Sequence, residues 1–471
     1  MRLRLFYIDV AGSSHAGILA SNLNPPIRMS IPHAYDLIIG LDRSDAKADL
    51  HLIETGSGHT STLTLDTAPE RLQDWLRSLR EKHPTARVGV VFEQPALNIL
   101  LFLETYSWIT LHPLNPLTLL KFREAFITSR AKNDRTDARY LAQLLLTHAD
   151  QLPVWQPEDA ETRRLQQLVV HRRAVVDERT ALTNRLQALL KQYFPQALEL
   201  CGEELWRPLA TRFLLKWPSL QAVQKARPER LRAFYHLQGS RSESLLAQRL
   251  ELVATGVPLT DESAVIESFV LRVQLICRQL EPLLKTIQTY DQRIAEVFAA
   301  HPDRELFASL PGAGPVLAPR LLASLGANRE RFASAQALQH YSGIAPVTKQ
   351  SGGKCHVHRR YRCPLFLRQS FHEYAKESVL HCRWAAAYYL QQRTKGCPHH
   401  TAVRALAFKW QRILWKCWQT HTRYSEDLYE AALRRRGSPL VALFDRVEPG
   451  KSPFKSTPKK SYNPLGGSPQ R

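Results

Sequence analysis

Apolar and polar positions change their period several times along the chain. The first 35 residues carry no repeating pattern and are broken at Pro25-Pro26, so they read as an N-terminal extension. Leu37-Ile38-Ile39-Gly40-Leu41 is a continuous apolar run closed by Asp42, the mark of a buried strand. Two further runs, Ala48 to Glu54 and Thr60 to Leu65, flank a Gly56-Ser57-Gly58 turn and predict its antiparallel neighbours. Between Pro69 and Glu81, Leu72, Trp75, Leu76 and Leu79 recur at helical spacing. Val88 to Phe92 is a second buried strand, closed by Glu93. A helix over Ala96 to Tyr106, a strand over Ile109 to His112 and helices from Leu117 onward complete a domain over 36–150.

Three strands followed by alternating helix and strand predict an α/β domain of ribonuclease-H-like architecture. From 151 to 300 the period is helical. Positions 266, 269, 273, 276, 280, 283, 287, 290, 294 and 297 are all apolar, an a/d pattern over more than four heptads. Pro282 is expected to kink that helix. The partner stretch, 160–194, keeps Leu165, Leu168, Val175, Leu182, Leu186, Leu189 and Tyr193 in register but has Arg172 and Arg179 at core positions. Two readings stay open: a helical hairpin within the chain, or a coiled coil joining copies. Residues 200–260 form a helical insert broken at Gly239-Ser240. A mainly helical C-terminal domain over 301–424 follows, its last helix built on Leu406, Trp410, Leu414 and Trp415. Residues 425–471, with Arg434-Arg435-Arg436 and a Pro/Ser/Lys/Gly-rich end, read as a disordered basic tail that adds nonspecific phosphate affinity.

Charge narrows the function. Lys and Arg number 64 against 43 Asp and Glu, a net +21, which favours a polyanionic partner. Seven cysteines at irregular spacing (201, 277, 355, 363, 382, 397, 417) do not make a disulfide framework and suit a reducing cytoplasm. No apolar run reaches the roughly 18 residues of a membrane span, and Asp9 interrupts any signal peptide. Cys355, His356, His358, Cys363, Cys397, His399 and His400 raise the question of zinc, but no C-x₂-C pair gives them the spacing of a structural site. No nucleotide-binding P-loop motif is present.

The candidate chemistry is acidic. Asp134 and Asp137 sit three apart at the start of a helical run and so share a face. Two such charges about 4 Å apart repel by roughly 4 kcal/mol at an effective dielectric of about 20. A divalent cation with hard oxygen ligands offsets that, whereas in a solvated first turn the acids simply suit the helix dipole. Asp42 and Glu93 each end an apolar strand, where open α/β sheets bind ligands. Each alone also reads as an ordinary turn or surface acid. Together the four make a nuclease-type site able to hold two Mg²⁺ ions. Farther on, Gly312 and Gly314 in Leu310-Pro311-Gly312-Ala313-Gly314 suggest a helix-hairpin-helix turn that brings backbone N–H groups to phosphate, or an ordinary Pro-Gly turn. Lys354, Arg359, Arg360, Arg362 and Arg368 form an acid-free basic run interleaved with His356, His358 and Tyr361. Ser351, in the glycine turn Ser351-Gly352-Gly353, lies beside that run. Such a hydroxyl can attack a phosphate, although a Ser-Gly-Gly loop taken by itself is a linker.

Over 36–148 and 305–424 the chain resembles the DEDD transposases of the insertion-sequence family one-ten, relatives of Piv-type DNA invertases. The motifs are Gly40-Leu41-Asp42, Glu93-Gln94, Asn115-Pro116, Arg123-x-Ala-Phe126, Ser129 to Ala138 with Lys132, Asn133, Asp134 and Asp137, Leu310-Pro311-Gly312-x-Gly314, Gly343-Ile344-Ala345-Pro346 and Ser351-Gly352-Gly353-Lys354. The resemblance implies a RuvC-like domain whose four acids are Asp42, Glu93, Asp134 and Asp137. It implies a C-terminal transposase domain whose nucleophilic serine is Ser351, with Ser342 the competitor at a position where the family tolerates small residues. It further implies dimers or tetramers in which one subunit's serine completes another's acid site, donor and target DNA as substrates, and a structured noncoding bridge RNA as guide. Mg²⁺ is the implied cofactor and a bacterial, nucleoid-associated cytoplasm the implied location. Two features depart from the family: Cys363-Pro364 stands where Gly-Asn is usual, and the N-terminal extension suggests an upstream start codon. The rival readings are a metal-dependent Holliday-junction nuclease with water as nucleophile, and a non-catalytic nucleic-acid-binding protein. The presence of all four acids argues against the second.

Overall fold

The computed structural model describes residues 34–44, 46–93, 97–126 and 134–447, and the chain divides into two compact units between Pro157 and Glu158. The expected N-terminal extension up to residue 33, Gln94, the Ser129 to Asn133 motif and the tail beyond 447 lie outside the described residues.

In the first unit, strands β1 (Leu37–Arg43), β2 (Lys47–Glu54), β3 (Thr60–Asp66), β4 (Val88–Glu93) and β5 (Ile109–Leu114) form one sheet in the order β3-β2-β1-β4-β5. β1, β2 and β3 pair antiparallel, and β1, β4 and β5 pair parallel. Helices α1 (Pro69–Lys82), α2 (Leu97–Leu103), α3 (Pro116–Phe126) and α4 (Asp134–His148) complete it. Alternate residues of β1 serve two cores. Leu37, Ile39 and Leu41 pack with Leu76 and Leu79 of α1 and with Ile99 and Leu103 of α2. Ile38 packs with Leu141, Ala142 and Leu145 of α4. Burial on both faces is why β1 and β4 read as unbroken apolar runs. β5 extends past the expected His112 to Leu114; as an edge strand it tolerates Pro113.

Gly40 sets the approach of α4 to the sheet. A Cβ added there would lie 2.0 Å from the Ala138 carbonyl oxygen and 2.6 Å from the Ala142 nitrogen. The obstacle is helix backbone, which cannot yield as a flexible side chain does.

The second unit is helical, with one hairpin. The long helices α5 (Ala160–Tyr193) and α11 (Ser263–Ala300) bracket α6 (Ala197–Cys201), α7 (Pro208–Lys216), α8 (Leu220–Gln224), α9 (Pro228–Leu237) and α10 (Glu243–Thr255). Then come α12 (Arg304–Ala308), α13 (Gly314–Leu325), α14 (Ala335–Tyr341), strands β6 (Val347–Ser351) and β7 (Lys354–His358), α15 (Leu365–His381), α16 (Arg383–Thr394), α17 (His399–Gln419) and α18 (Glu426–Arg435). α5 and α11 pair within the chain, and each feeds two cores. Leu165 and Val169 meet Ile294 and Val297 in a core shared with Phe371, Trp384 and Trp410. Leu186 and Leu190 meet Val273, Ile276 and Leu280 in a core shared with Phe213, Trp217 and Phe234 of the insert. The apolar seam of α11 is therefore covered by its own chain. The two arginines at core positions of α5 find local partners of different kinds, although the Arg179 Nε is buried without a hydrogen bond. Arg172 pairs with Asp291 of α11 at 2.5 Å, and the Arg179 guanidinium lies 4.5 Å from the Trp206 ring centroid.

One expectation is corrected. A tail from residue 425 was expected, yet Ser425 caps α18 by accepting from the Leu428 N–H, and Leu433, Leu440 and Phe444 are buried in the C-terminal core. Arg383 and Arg434 stack over the Phe444 ring. The arginine-rich composition concealed a capped amphipathic helix. The expected glycine turn is present: Gly352-Gly353 closes an antiparallel hairpin, whose two strands were not assigned from the sequence, in register from Val347↔His358 to Ser351↔Lys354.

Gly40→Val is expected to destabilise the first unit by roughly 3 kcal/mol, because overpacking against fixed backbone has no relief. Urea unfolding of the variant checks this; an unchanged midpoint would show that α4 can lift off β1 freely.

Candidate active site

The acids of the first unit converge for reasons of sheet parity. Asp42 lies two residues beyond Gly40 on β1, and Glu93 two beyond Val91 on β4, so both project to the face that α4 covers. The parallel register pairs Leu41 with Phe92, which leaves Asp42 and Glu93 one step further at the same end of neighbouring strands. Both are half-buried. Gly40 lets α4 reach the sheet, and Asp137, in the first turn of α4, is buried beside it.

Asp137 is paired. Arg123 of α3 donates through Nη1 to both carboxylate oxygens, at 2.7 and 3.0 Å, and the two side chains are 15% and 7% exposed. That hydrogen bond is the largest influence on Arg123 and holds its guanidinium more firmly protonated. The nearby charges of Asp137, Glu93 and Glu124 act in the same sense. One cation is thus held among the acids. Asp134 is the first residue of α4, and its side chain lies outside the described residues. Among the described residues no group of three His, Cys, Asp or Glu side chains is gathered closely enough to hold a metal ion. The oxygen donors nonetheless suit a hard divalent cation, since the same place already accommodates a guanidinium. Arg123 was visible beforehand only as part of a motif; its proximity to Asp137 had no sequence signal beyond that.

In the second unit, Ser351 ends β6 and is exposed, directly opposite Lys354. The two-residue period puts Lys349 and His356 on the same face. Ser342 is different. It is fully buried, donates to the Gln339 carbonyl at 3.1 Å and accepts from Gln411 Nε2 at 2.7 Å and from the Ile344 N–H. It is a structural hydroxyl closed to substrate. The basic candidates divide as well. Lys354, Arg359 and Arg362 are exposed. Arg368 instead donates to the Arg360 and Tyr361 carbonyls, both at 3.4 Å, and pins the base of the hairpin. Cys363, in the dipeptide that departs from the usual Gly-Asn, packs where a Gly343 Cβ would stand, 2.3 Å from Sγ, and Pro364 precedes α15.

The glycine turn before α13 is also asymmetric. Gly312 has φ +77° and no room for a side chain, 2.8 Å from the His381 ring, whereas Gly314, at φ +54°, faces open space. Gly312 is needed for packing, and Gly314 leaves the helix start accessible. All seven cysteines are free. Among the described residues no helix is long and apolar enough to cross a membrane.

Comparison with known proteins accords with this geometry. A DEDD family model of IS110, described as transposase, matches residues 39–195, and the transposase model of the IS116/IS110/IS902 family matches 304–390. A Streptomyces coelicolor protein named for the transposase of the IS117 mini-circle is 30% identical over 321 residues, 67% of this chain and 77% of the relative. The 44.8 kDa protein of insertion element IS116 from Streptomyces clavuligerus is 28% identical over 60% of this chain and 70% of its own. That of IS110 from S. coelicolor is 27% identical over 63% and 73%. The class is that of DNA-cutting and rejoining enzymes built around a DEDD acid set. The chain belongs to the IS110 family of transposases, a membership that points to dependence on a divalent metal.

Arg123→Ala leaves a buried carboxylate unpaired and is expected to destabilise the metal-free first unit by roughly 3 kcal/mol. Added Mg²⁺ should restore part of the loss. Urea unfolding with and without Mg²⁺ measures both. An equal effect of Arg123→Ala in an Asp137→Asn background would show that the pair is not coupled.

Proposed function

We propose that the protein is a transposase that recombines DNA through a covalent serine intermediate. The first unit would act as a ribonuclease-H-like, RuvC-type domain, a reading supported by the strand order β3-β2-β1-β4-β5 with its antiparallel half and parallel half. Asp42, Glu93, Asp134 and Asp137 would hold Mg²⁺, two ions at full occupancy. Bound there, the metal supplies charge stabilisation to the reacting phosphate. Ser351 is the nucleophile. The observation that carries this is its exposure at the tip of a cationic hairpin while Ser342 is buried and fully bonded. Ser351 Oγ loses its proton and bonds to phosphorus, and the bond to the 3′ oxygen breaks, that oxygen taking up a proton. In the second half, a 3′ hydroxyl of another strand attacks the phosphoserine and releases Ser351. Bond energy is conserved, so no nucleotide hydrolysis is required. Lys349, Lys354, Arg359 and Arg362 supply positive charge for the phosphates.

The family resemblance supports a structured bridge RNA as guide and a dimer or tetramer as the working form. Leu271 and Leu275, four residues apart on α11 and 64% and 54% exposed, are compatible with such an assembly. The charge of +21 suits both nucleic-acid partners.

Ser351→Ala is expected to lower recombination in cells by roughly a thousandfold or more, with nucleic-acid binding retained. Asp137→Asn should abolish cleavage in the same way. Denaturing gels of wild-type reactions should show a protein–DNA adduct that Ser351→Ala lacks. Cleavage without an adduct, insensitive to Ser351→Ala, would support instead a nuclease that uses water.

A further inference from the structure

Behind the serine hairpin lies a cavity of about 540 Å³. One wall is the hairpin base, from Gly343 to Pro346 and from Val357 to Arg360. The opposite wall is Tyr388 of α16 with Thr401, Arg404 and Phe408 of α17. Its size falls within the range of small-molecule sites, about 300–1,000 Å³. Its lining combines two chemistries. Tyr388, Phe408, Ile344 and Val357 make a predominantly apolar interior, while Arg359, Arg360 and Arg404 supply cations.

Among the described residues, no carboxylate is among the charges that act on Arg404. Burial, and then the like charges of Arg359 and Arg368, push the Arg404 guanidinium below its ordinary range, with the Tyr361 phenol acting the other way. The Nε of Arg360 is buried with no hydrogen-bond partner. The half-buried guanidinium groups of Arg360 and Arg404, one with an orphaned N–H and both beside the exposed Arg359, are costly unless something negative enters. An inorganic anion would satisfy the cations but not fill the apolar interior. A nucleotide satisfies both, since its phosphate suits Arg groups and its base stacks on aromatic rings. A base within a duplex cannot enter, so the ligand is an unstacked residue of a single strand. The geometry also relates the cavity to the nucleophile. It borders Val357 and His358, three and four residues up the hairpin from the Ser351–Lys354 pair, about 10 and 14 Å at the rise of an antiparallel strand. A strand anchored there leaves the tip free.

We infer that this cavity holds one unstacked nucleotide of a single nucleic-acid strand, with its base against Phe408 and Tyr388 and its phosphate on Arg359, Arg360 and Arg404. The inference rests on the reading of the protein as a DNA recombinase and adds to it an anchor for single-stranded substrate or guide.

The test is equilibrium binding of the full chain to labelled twelve-residue oligonucleotides, one of deoxythymidine and one of uridine, each intact and with its three central bases removed. Wild-type protein should bind the intact strands about tenfold more tightly than the abasic ones. Ala405→Phe, which fills the cavity from the helix that lines it, should bind intact and abasic strands alike. Arg404→Gln should weaken both and reduce the salt-dependence slope by about one. The tighter of the two intact strands identifies the source of the nucleotide. Equal wild-type affinity for intact and abasic strands overturns the inference, and so does undiminished discrimination in a folded Ala405→Phe variant. If thermal melting shows that Ala405→Phe does not fold, the wild-type comparison and Arg404→Gln decide. Failure here is separable from failure of the serine reading. A Ser351 adduct without base-dependent binding overturns the cavity alone, and base-dependent binding without an adduct overturns the nucleophile alone.

Discussion

The acid site depends on a helix lying in backbone contact with a sheet. Only a residue without a side chain at position 40 allows α4 to rest its Ala138 carbonyl and Ala142 nitrogen against β1. That approach carries Asp137 to the face on which Asp42 and Glu93 emerge. It also buries Asp137, and a buried carboxylate requires a counter-charge. Arg123 provides one from α3 with both oxygens engaged. Packing thus creates the electrostatic demand, and the demand explains why a cation belongs at this end of the sheet.

The second unit answers a different constraint, that of joining two cores without a hinge. α5 and α11 run through both the C-terminal core and the core of the insert, so one pair of rigid elements supports each. Charges on α5 are paired to both sides: Arg172 finds Asp291 of α11, and Arg173 reaches Glu373 of α15, which Arg320 of α13 also reaches. The hairpin has no such support. Apart from half-buried Val347, every residue of β6 and β7 is exposed. Two strands alone are marginal in water, so the hairpin relies on its base. There Cys363 is packed on Gly343, and Arg368 ties down the Arg360 and Tyr361 carbonyls.

How much of this was legible in the sequence follows from burial. β1 and β4 announced themselves because both faces are covered, and Asp42 and Glu93 stood out because each breaks an apolar run. α5 and α11 were readable from their heptads, although whether their seam joined one chain or two was not, since an apolar stripe does not name its partner. The hairpin escaped notice because exposed strands carry no hydrophobic alternation. Its Gly352-Gly353 turn between two short segments was the available signal. α18 was hidden by its arginines, one of which, Arg434, lies over the Phe444 ring rather than in a solvated tail. Arg123 could not be assigned at all, because nothing in a motif says which acid, 14 residues away, it will meet. The family resemblance already favoured Ser351 over Ser342; burial and bonding add that Ser342 is enclosed while Ser351 is exposed.

The bare support of the serine has a chemical counterpart. A serine hydroxyl is a weak nucleophile unless a base or metal takes its proton. The face of the hairpin that bears Ser351 also bears Lys349, Lys354 and His356. These groups attract and stabilise phosphate, but the hairpin contributes no carboxylate. The carboxylates belong to the other unit. On the proposed reading, neither unit is competent alone: the hairpin can hold a phosphodiester without attacking it, and the acids can bind metal without supplying the nucleophile. On that reading, reaction requires an arrangement that brings serine and acids to the same phosphate. The exposure of the hairpin, costly for its own stability, is what such a meeting requires.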